Sequence, residues 1–526
     1  MRDLLSRVSI SSLFRPLKKL QSQPFQVVFC VLCSTAALLI ALYMTRRGIS
    51  ISWDSTAYIN TARNLYHGSW FVSAGNQLFN LWAPLYPMMI AGLMHLGISA
   101  DQAAKILPVL AYALTVFPMF LLCKAMTKSV TACYAVCLVY LAFAPMLWMS
   151  TWALTDIICI FFSMTTMLLL VLFVQSRHKA TMLLVLAGLF ASLASLTRFM
   201  GATIIIVGLV AILVRNTKST VWSQQSKATA IVIKVRDTIT QTLLWFSIGL
   251  LPLLVWQLYR PRPHNLGGPA IGTNVYRLLH ATLVDFLSSP PKGVAYALAA
   301  ATIVSLTLLI ARGKPLRYFY RNLLPISYVL IYSVCLVIIE SVESTEPINT
   351  RYASPIYPFI LLMAVPLILS MYKRVKRTWI RPVVLSTSIV LVTLFMWFQA
   401  GSLNSYADGH GYRQSGGYNT LAWEQDSGIE WINSHIPANA VIYSNCIEPL
   451  QWKLDRIVYL LPPSWDEDAI KSFFANLPTG RDTFIISQDT PGIPRMSTAQ
   501  VDEANAQYNI LQVVAEFPLS KIWRVK

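Results

Sequence analysis

Asp54 stands in Trp53-Asp54-Ser55-Thr56-Ala57-Tyr58, a segment rich in groups that bind polar ligands, and it is one of seven carboxylates in the first 340 residues. The others are Asp3, Asp101, Asp156, Asp237, Asp285 and Glu340. In an apolar chain each retained acid carries a desolvation cost, which makes each a candidate for a specific task. A carboxylate at a partly dry interface is a good acceptor for the proton of a hydroxyl nucleophile. Arg198, in the break Thr197-Arg198-Phe199-Met200-Gly201 between two short apolar runs, is a further candidate for a functional role. Two structural alternatives stay open: Asp54 as a helix cap, and Arg198 reaching to lipid headgroups.

The surrounding chain has 526 residues, is 55% apolar and has a mean hydropathy of +0.54. Apolar runs lie at about 25–44, 82–98, 104–123, 130–148, 156–174, 181–197, 200–214, 239–259, 293–311, 323–341, 353–371 and 379–398. Most are long enough to cross a hydrocarbon core, so the expected class is an α-helical polytopic membrane protein with 11–13 spans. The first run follows Arg2, Arg7, Arg15, Lys18 and Lys19 and is too long for a signal-peptide core, so it reads as a retained span. Seven cysteines, Cys30, Cys33, Cys123, Cys133, Cys137, Cys159 and Cys335, fall in these runs, where packing explains them better than redox or metal chemistry. Cys446 is alone in the tail, which excludes an internal disulfide there.

Charge divides the chain at about residue 400. Residues 1–399 form the expected multi-span domain, with a first outer loop at 45–80, and are strongly basic; residues 400–526 hold 14 of the 23 acids and are acidic. Basic connections at 215–237, 312–321 and 373–381 account for the excess positive charge as cytoplasmic loops, so no nucleic-acid partner is needed. Working outward from them puts the N-terminus inside and the loops at 45–80, 260–292 and 342–352 outside, together with the C-terminal tail. Lys124 to Lys128 and Arg177 to Lys179 also read as cytoplasmic, which leaves one crossing for two apolar runs, 82–98 and 104–123. The first of these is short and carries Pro84 and Pro87, so it is expected not to cross fully. The same topology places Asp156 and Arg198 at outer helix ends, on the side of Asp54.

The tail reads as a small extracytoplasmic α/β domain. Strand-like runs at Ala440 to Asn445, Ile457 to Leu461, Thr483 to Gln488, Leu511 to Phe517 and Lys521 to Val525 alternate with helical patterns at Ser427 to His435, Asp466 to Ala475 and Thr498 to Gln507. No glycine-rich phosphate loop and no metal-spaced Cys/His set occurs in it. In the first loop, Tyr58, Ala62, Leu65 and Tyr66 recur at helical spacing, which predicts an amphipathic helix at the membrane surface with Asp54 near its start.

The order of these motifs resembles the GT-C class of membrane glycosyltransferases, in the branch of bacterial protein O-mannosyltransferases and lipid A aminoarabinose transferases. The resemblance rests on Asp54 after the first run with Tyr58 and Ala62 following, then Pro84-Leu85-Tyr86-Pro87, Leu154-Thr155-Asp156, Leu196-Thr197-Arg198, and Arg351-Tyr352 before Pro355 and Pro358. It extends to Gly416-Gly417-Tyr418 and Ile442-Tyr443-Ser444-Asn445 in the tail. It implies transfer of a hexose or pentose from a polyprenyl-phosphate carrier to a hydroxyl acceptor on protein, lipid or glycan, usually with inversion, at the outer face of what is expected to be a bacterial plasma membrane. Asp54 is then the expected base. Arg198 and Arg351 are expected at the lipid phosphate, with Tyr352, Asp156, Tyr58 and, more weakly, Arg63 also at the substrate. Asp156 could hold a metal, orient an arginine or hydrogen-bond a sugar hydroxyl, and could equally only cap its helix.

The chain departs from members that pair two adjacent acids in the first loop, because Ser55 follows Asp54 and no Glu precedes Glu340. That weighs against a two-carboxylate site, although a divalent metal stays an open cofactor; Glu343 and Glu346 read as solvated, and His67 and His264 have no spaced partner. The competing classes are a transporter or lipid-linked sugar flippase, and a membrane scaffold whose tail binds a partner. Neither explains why the polar candidates gather on one side rather than at the midplane of repeated halves.

Overall fold

The computed structural model describes residues 22–46, 48–176, 180–218, 227–260, 270–282, 315–343, 347–372, 418, 427–463, 466–477, 482–488, 496–518 and 520–526. The expected spans at 293–311 and 379–398, with His264, Glu346 and Gly416-Gly417, lie outside these residues. Among the described residues, seven helices are long and apolar enough to cross a membrane: Gln23–Met44, Ala100–Thr127, Asp156–Gln175, Ala180–Thr197, Phe199–Thr217, Leu323–Val342 and Thr350–Ser370. Two bent pairs raise the number to nine, Val130–Ala142 with Ala144–Ser150 at 58° and Lys234–Gly249 with Leu251–Tyr259 at 43°. Each bend has a proline, Pro145 or Pro252, in the first turn of its second helix, where the missing N–H and the ring interrupt the helical ladder. The chain is a multi-pass α-helical membrane protein with a small C-terminal sheet.

The 82–98 run forms only the ten-residue helix Leu85–Met94, about 15 Å long and half of what a bilayer core requires. With that crossing removed, two spans separate the start of helix Gln23–Met44 from the basic connection at Lys124 to Lys128, so both fall on one side, as the charge rule asks. A second adjustment concerns 215–237, which was expected to be a loop: the helix Lys227–Gly249 begins well inside it.

The chain divides into two compact units. One comprises Met1–Met44, Pro108–Thr151 and Thr155–Asn404; the other comprises Thr45–Leu107, Trp152–Leu154 and Ser405–Lys526. In the first, Asp156–Gln175 is central, with 14 of its 20 residues buried. By contrast, Gln23–Met44 buries only a stripe, Gln26, Cys30, Cys33, Ala37, Ala41 and Met44, spaced three and four apart. Cys30 and Cys33 are therefore packing residues on the inward face of that helix, and all eight cysteines are free thiols.

In the second unit the tail forms a five-stranded sheet in the order β2-β1-β3-β5-β4, with β1 Val441–Ser444, β2 Tyr459–Leu460, β3 Thr483–Gln488, β4 Leu511–Glu516 and β5 Ser520–Val525. β2, β1 and β3 run parallel, and β5 and β4 close the edge antiparallel. Alternation along the strands gives the sheet two apolar faces. Ile442, Phe484, Ile486 and Ile522 pack with Ile432 and Leu450 on one side; Ile485 and Trp523 pack with Phe474 and Val501 on the other. The sequence pattern missed the helix Ile447–Leu454, which follows β1 directly.

The same unit contains the first loop, whose helix Trp53–Tyr66 is not amphipathic at a membrane surface as expected: every residue from Ser55 to Ala62 is buried. Its polar face is covered by the tail. Asn60 donates to the carbonyl and carboxylate of Glu448 at 3.0 and 3.1 Å, and Gly75 N–H donates to Gln451 Oε1 at 2.9 Å. Gly75 has φ +60°, and a Cβ there would lie 2.8 Å from the Val458 carbonyl oxygen, so this approach of loop to tail needs glycine.

Candidate active site

Helix Trp53–Tyr66 begins with a capping box in which Ser52 and Ser55 each bond the other's backbone N–H. Ser52 is the cap, so the capping alternative for Asp54 does not hold. Asp54 lies in the first turn, where a negative charge also favours the helix dipole, and its Oδ1 accepts from Trp82 Nε1 at 3.1 Å. Trp82 is fixed in turn by Tyr58 and Phe79, with ring centroids at 6.0 and 5.6 Å. Tyr58 also meets Tyr86 edge-on at 5.2 Å and is 3% exposed. This side chain packs against Trp82, which in turn bonds Asp54.

Arg63, the weaker cation candidate, is committed elsewhere. Its Nη1 donates to the Trp452 carbonyl at 2.9 Å and pairs with Asp455 at 3.2 Å, and its Nη2 lies 3.6 Å from Asp101. Trp452 Nε1 bonds Asp101 as well, at 2.8 Å. These contacts tie the first loop to the tail, and the phosphate-binding assignment made for Arg63 from sequence is set aside on that ground.

The other four candidates come together in the first unit. Asp156 opens the central helix and is fully buried, and its two carboxylate oxygens are divided between two arginines: Oδ1 takes Arg198 Nη1, and Oδ2 takes Arg351 Nε at 3.2 Å. Tyr352 lies beneath both, with Arg198 Cζ 5.1 Å and Arg351 Cζ 5.7 Å from its ring centroid. Asp156 therefore orients arginines rather than capping its helix. Arg198 is 11% exposed, which removes the alternative of a side chain reaching out to headgroups.

Local sequence sets each arginine. Arg198 is extended, and the following turn Phe199–Ala202 folds back so tightly that a Cβ on Gly201 would lie 2.3 Å from the Ala194 carbonyl oxygen. Arg351 sits in the short helix Thr350–Ala353, whose cap Asn349 accepts from the N–H groups of Arg351 and Tyr352 at 2.9 and 3.4 Å. Tyr332, fully buried, donates to the Tyr352 carbonyl at 2.9 Å. Two guanidiniums meet one carboxylate here, at the positive end of the central helix's dipole. Each guanidinium carries five donors in a planar fork that matches phosphate, so the arrangement is suited to bind a phosphate oxygen pair.

It is not suited to hold a metal. A carboxylate flanked by two guanidiniums repels a cation, and among the described residues no three His, Cys, Asp or Glu side chains form a group that could hold one. Glu340 is buried, Glu343 half-buried and His67 exposed.

Sequence reasoning missed Glu448, whose signal was a lone acid between apolar residues of what looked like a connection. It is fully buried and also accepts from Ser73 Oγ at 2.9 Å. Burial pushes its carboxyl up to about 7 from an ordinary 4.5, against the pull of Asn60, Ser73 and the Ala74 N–H, and it lies beside Tyr418 and Cys446. Because the folded value is the higher, the protonated group stabilises the fold fully below about pH 4.5, and that contribution is lost as pH rises through about 7. The thermal midpoint of the wild type is expected to fall by several degrees between about pH 5 and about pH 8. Glu448→Gln, which stays neutral, should flatten that fall, as thermal unfolding across the range will show.

No family model and no curated protein matches the sequence. Solved structures do match, and they show the fold: it is that of the GT-C glycosyltransferases. ArnT from Cupriavidus metallidurans in the apo state superposes with a TM-score of 0.60 at 13% identity, over 94% of this chain and 97% of that one. The same protein bound to undecaprenyl phosphate gives 0.58 at 12% identity, covering 96% and 98%. The Archaeoglobus fulgidus oligosaccharyltransferase AglB, solved with an inhibitory peptide and a dolichol-phosphate, gives 0.52 at 11%, covering 89% and 70%. The mycobacterial arabinofuranosyltransferase AftD gives 0.54 at 14%, with 96% of this chain matching 41% of that one.

Proposed function

We propose that this protein is a membrane glycosyltransferase that moves a hexose or pentose from a polyprenyl-phosphate carrier to a hydroxyl acceptor on the extracytoplasmic face. The observation that carries the reading is the buried Asp156, Arg198, Arg351 and Tyr352 cluster. In this reading the acceptor hydroxyl attacks the anomeric carbon and gives its proton to the Asp54 carboxylate. The bond between that carbon and the phosphate oxygen breaks, and its electron pair leaves with the lipid phosphate. Arg198 and Arg351 hold the phosphate as its charge grows, Asp156 fixes their orientation, and attack opposite the departing group inverts the anomeric centre. The polyprenyl- and dolichol-phosphate complexes of structures with this fold support a lipid-phosphate donor.

The test is incubation of the purified protein with radiolabelled polyprenyl-phosphate sugars and mixed acceptors. Labelled acceptor together with free polyprenyl phosphate is the expected outcome. Translocation of an intact donor across vesicles, with no transfer from any donor, would instead support the flippase reading.

Trp82 provides a smaller check. Trp82→Phe keeps the ring packing against Tyr58 and Phe79 but removes the donor to Asp54. A fall of up to about tenfold in kcat is expected, as for one hydrogen bond to a charged group, with KM little changed in steady-state kinetics.

A further inference from the structure

The central helix carries a second site at its other end. From Asp156 to Val174 is about 27 Å along the axis, close to the thickness of a hydrocarbon core. There Val171 and Val174, with Val214 and Leu324 from neighbouring helices, line a cavity of about 440 Å³, the size of a small-ligand site. Lys128, at the end of helix Val116–Thr127, and Arg321, at the end of Pro315–Arg321, also line it, and among the described residues no acid does. Arg321 is positioned by the bond from its Nε to the Met126 carbonyl. Arg215 nearby caps the central helix, donating to the Phe173 and Ser176 carbonyls, and among the described residues the cations lining the cavity are Lys128 and Arg321.

We propose that this cavity binds the phosphate headgroup of an anionic glycerophospholipid from the leaflet opposite the proposed sugar-transfer site. An apolar wall beneath two cations fits an amphiphile whose acyl chains run along the valines while its phosphodiester meets Lys128 and Arg321. A free phosphate would leave that apolar wall unused. Lys128 and Arg321 belong to basic connections that the positive-inside rule assigns to the cytoplasmic side, and that leaflet is the one rich in anionic lipid.

The test is titration of the detergent-purified full chain with dioctanoyl phosphatidylglycerol, dioctanoyl phosphatidylcholine and inorganic phosphate, read by thermal shift and by native mass spectrometry. Phosphatidylglycerol should bind about tenfold tighter than phosphatidylcholine and raise the unfolding midpoint. Lys128→Gln, at an exposed side chain, should weaken it about fivefold, and Val174→Phe, which fills the cavity without touching the cations, should weaken both lipids. Equal affinity for the two lipids would overturn the proposal, as would unchanged phosphatidylglycerol binding in both variants, or inorganic phosphate binding as tightly as phosphatidylglycerol.

Discussion

Asp156→Asn is expected to lower kcat for sugar transfer about 100-fold without weakening polyprenyl-phosphate binding. Arg198 and Arg351 each face one oxygen of the buried Asp156 carboxylate. Neutralising it leaves two guanidiniums repelling each other in a dry site, at a stability cost of about 3–5 kcal/mol. The anion attraction stays or grows, since net positive charge rises, but the forks lose the alignment with which they meet the leaving phosphate, and misplacement of this kind costs about 100-fold in rate. Steady-state kinetics, equilibrium binding and thermal unfolding of one preparation separate the three effects. Lost binding with unchanged kcat would assign Asp156 a different role.

Asp54→Asn is expected to reduce kcat by about 10²- to 10⁴-fold, the range of a general base. The substitution is nearly isosteric, and the amide oxygen still accepts from Trp82, so folding and donor affinity should stay within about twofold of wild type. A loss confined to kcat reports the missing proton acceptor, whereas a variant with full activity removes Asp54 from the chemistry. Donor turnover measured beside donor binding distinguishes these results.

How much of this was legible in the sequence differs by element. The tail's runs placed all five strands and three of its helices to within a residue or two, because strands covered on both faces read as short apolar runs that stand out from the helical patterns between them. Asp156, Arg198 and Arg351 were legible as rare charges at helix ends. Their convergence was not, since contacts across 42 and 195 residues depend on helix packing that no local period encodes. The first-loop helix shows the opposite failure. Its apolar face was read correctly, but Thr56, Asn60 and Thr61 on the other face are also buried, with Asn60 bonded to a residue 388 positions away. Polar residues buried against a distant partner look solvated to any hydropathy argument. The short helix Leu85–Met94 was legible from Pro84 and Pro87, which cut an apolar run that composition alone would have counted as a span.

The account stands most directly on where the lipid phosphate binds, and equilibrium binding of polyprenyl phosphate to wild type, Arg198→Gln and Arg351→Gln measures that. Each arginine contributes charge-assisted hydrogen bonds worth about 1.5–3 kcal/mol, so each variant should bind about 10- to 100-fold more weakly. Unchanged affinity in both variants would contradict the assignment of this cluster as the lipid-phosphate site.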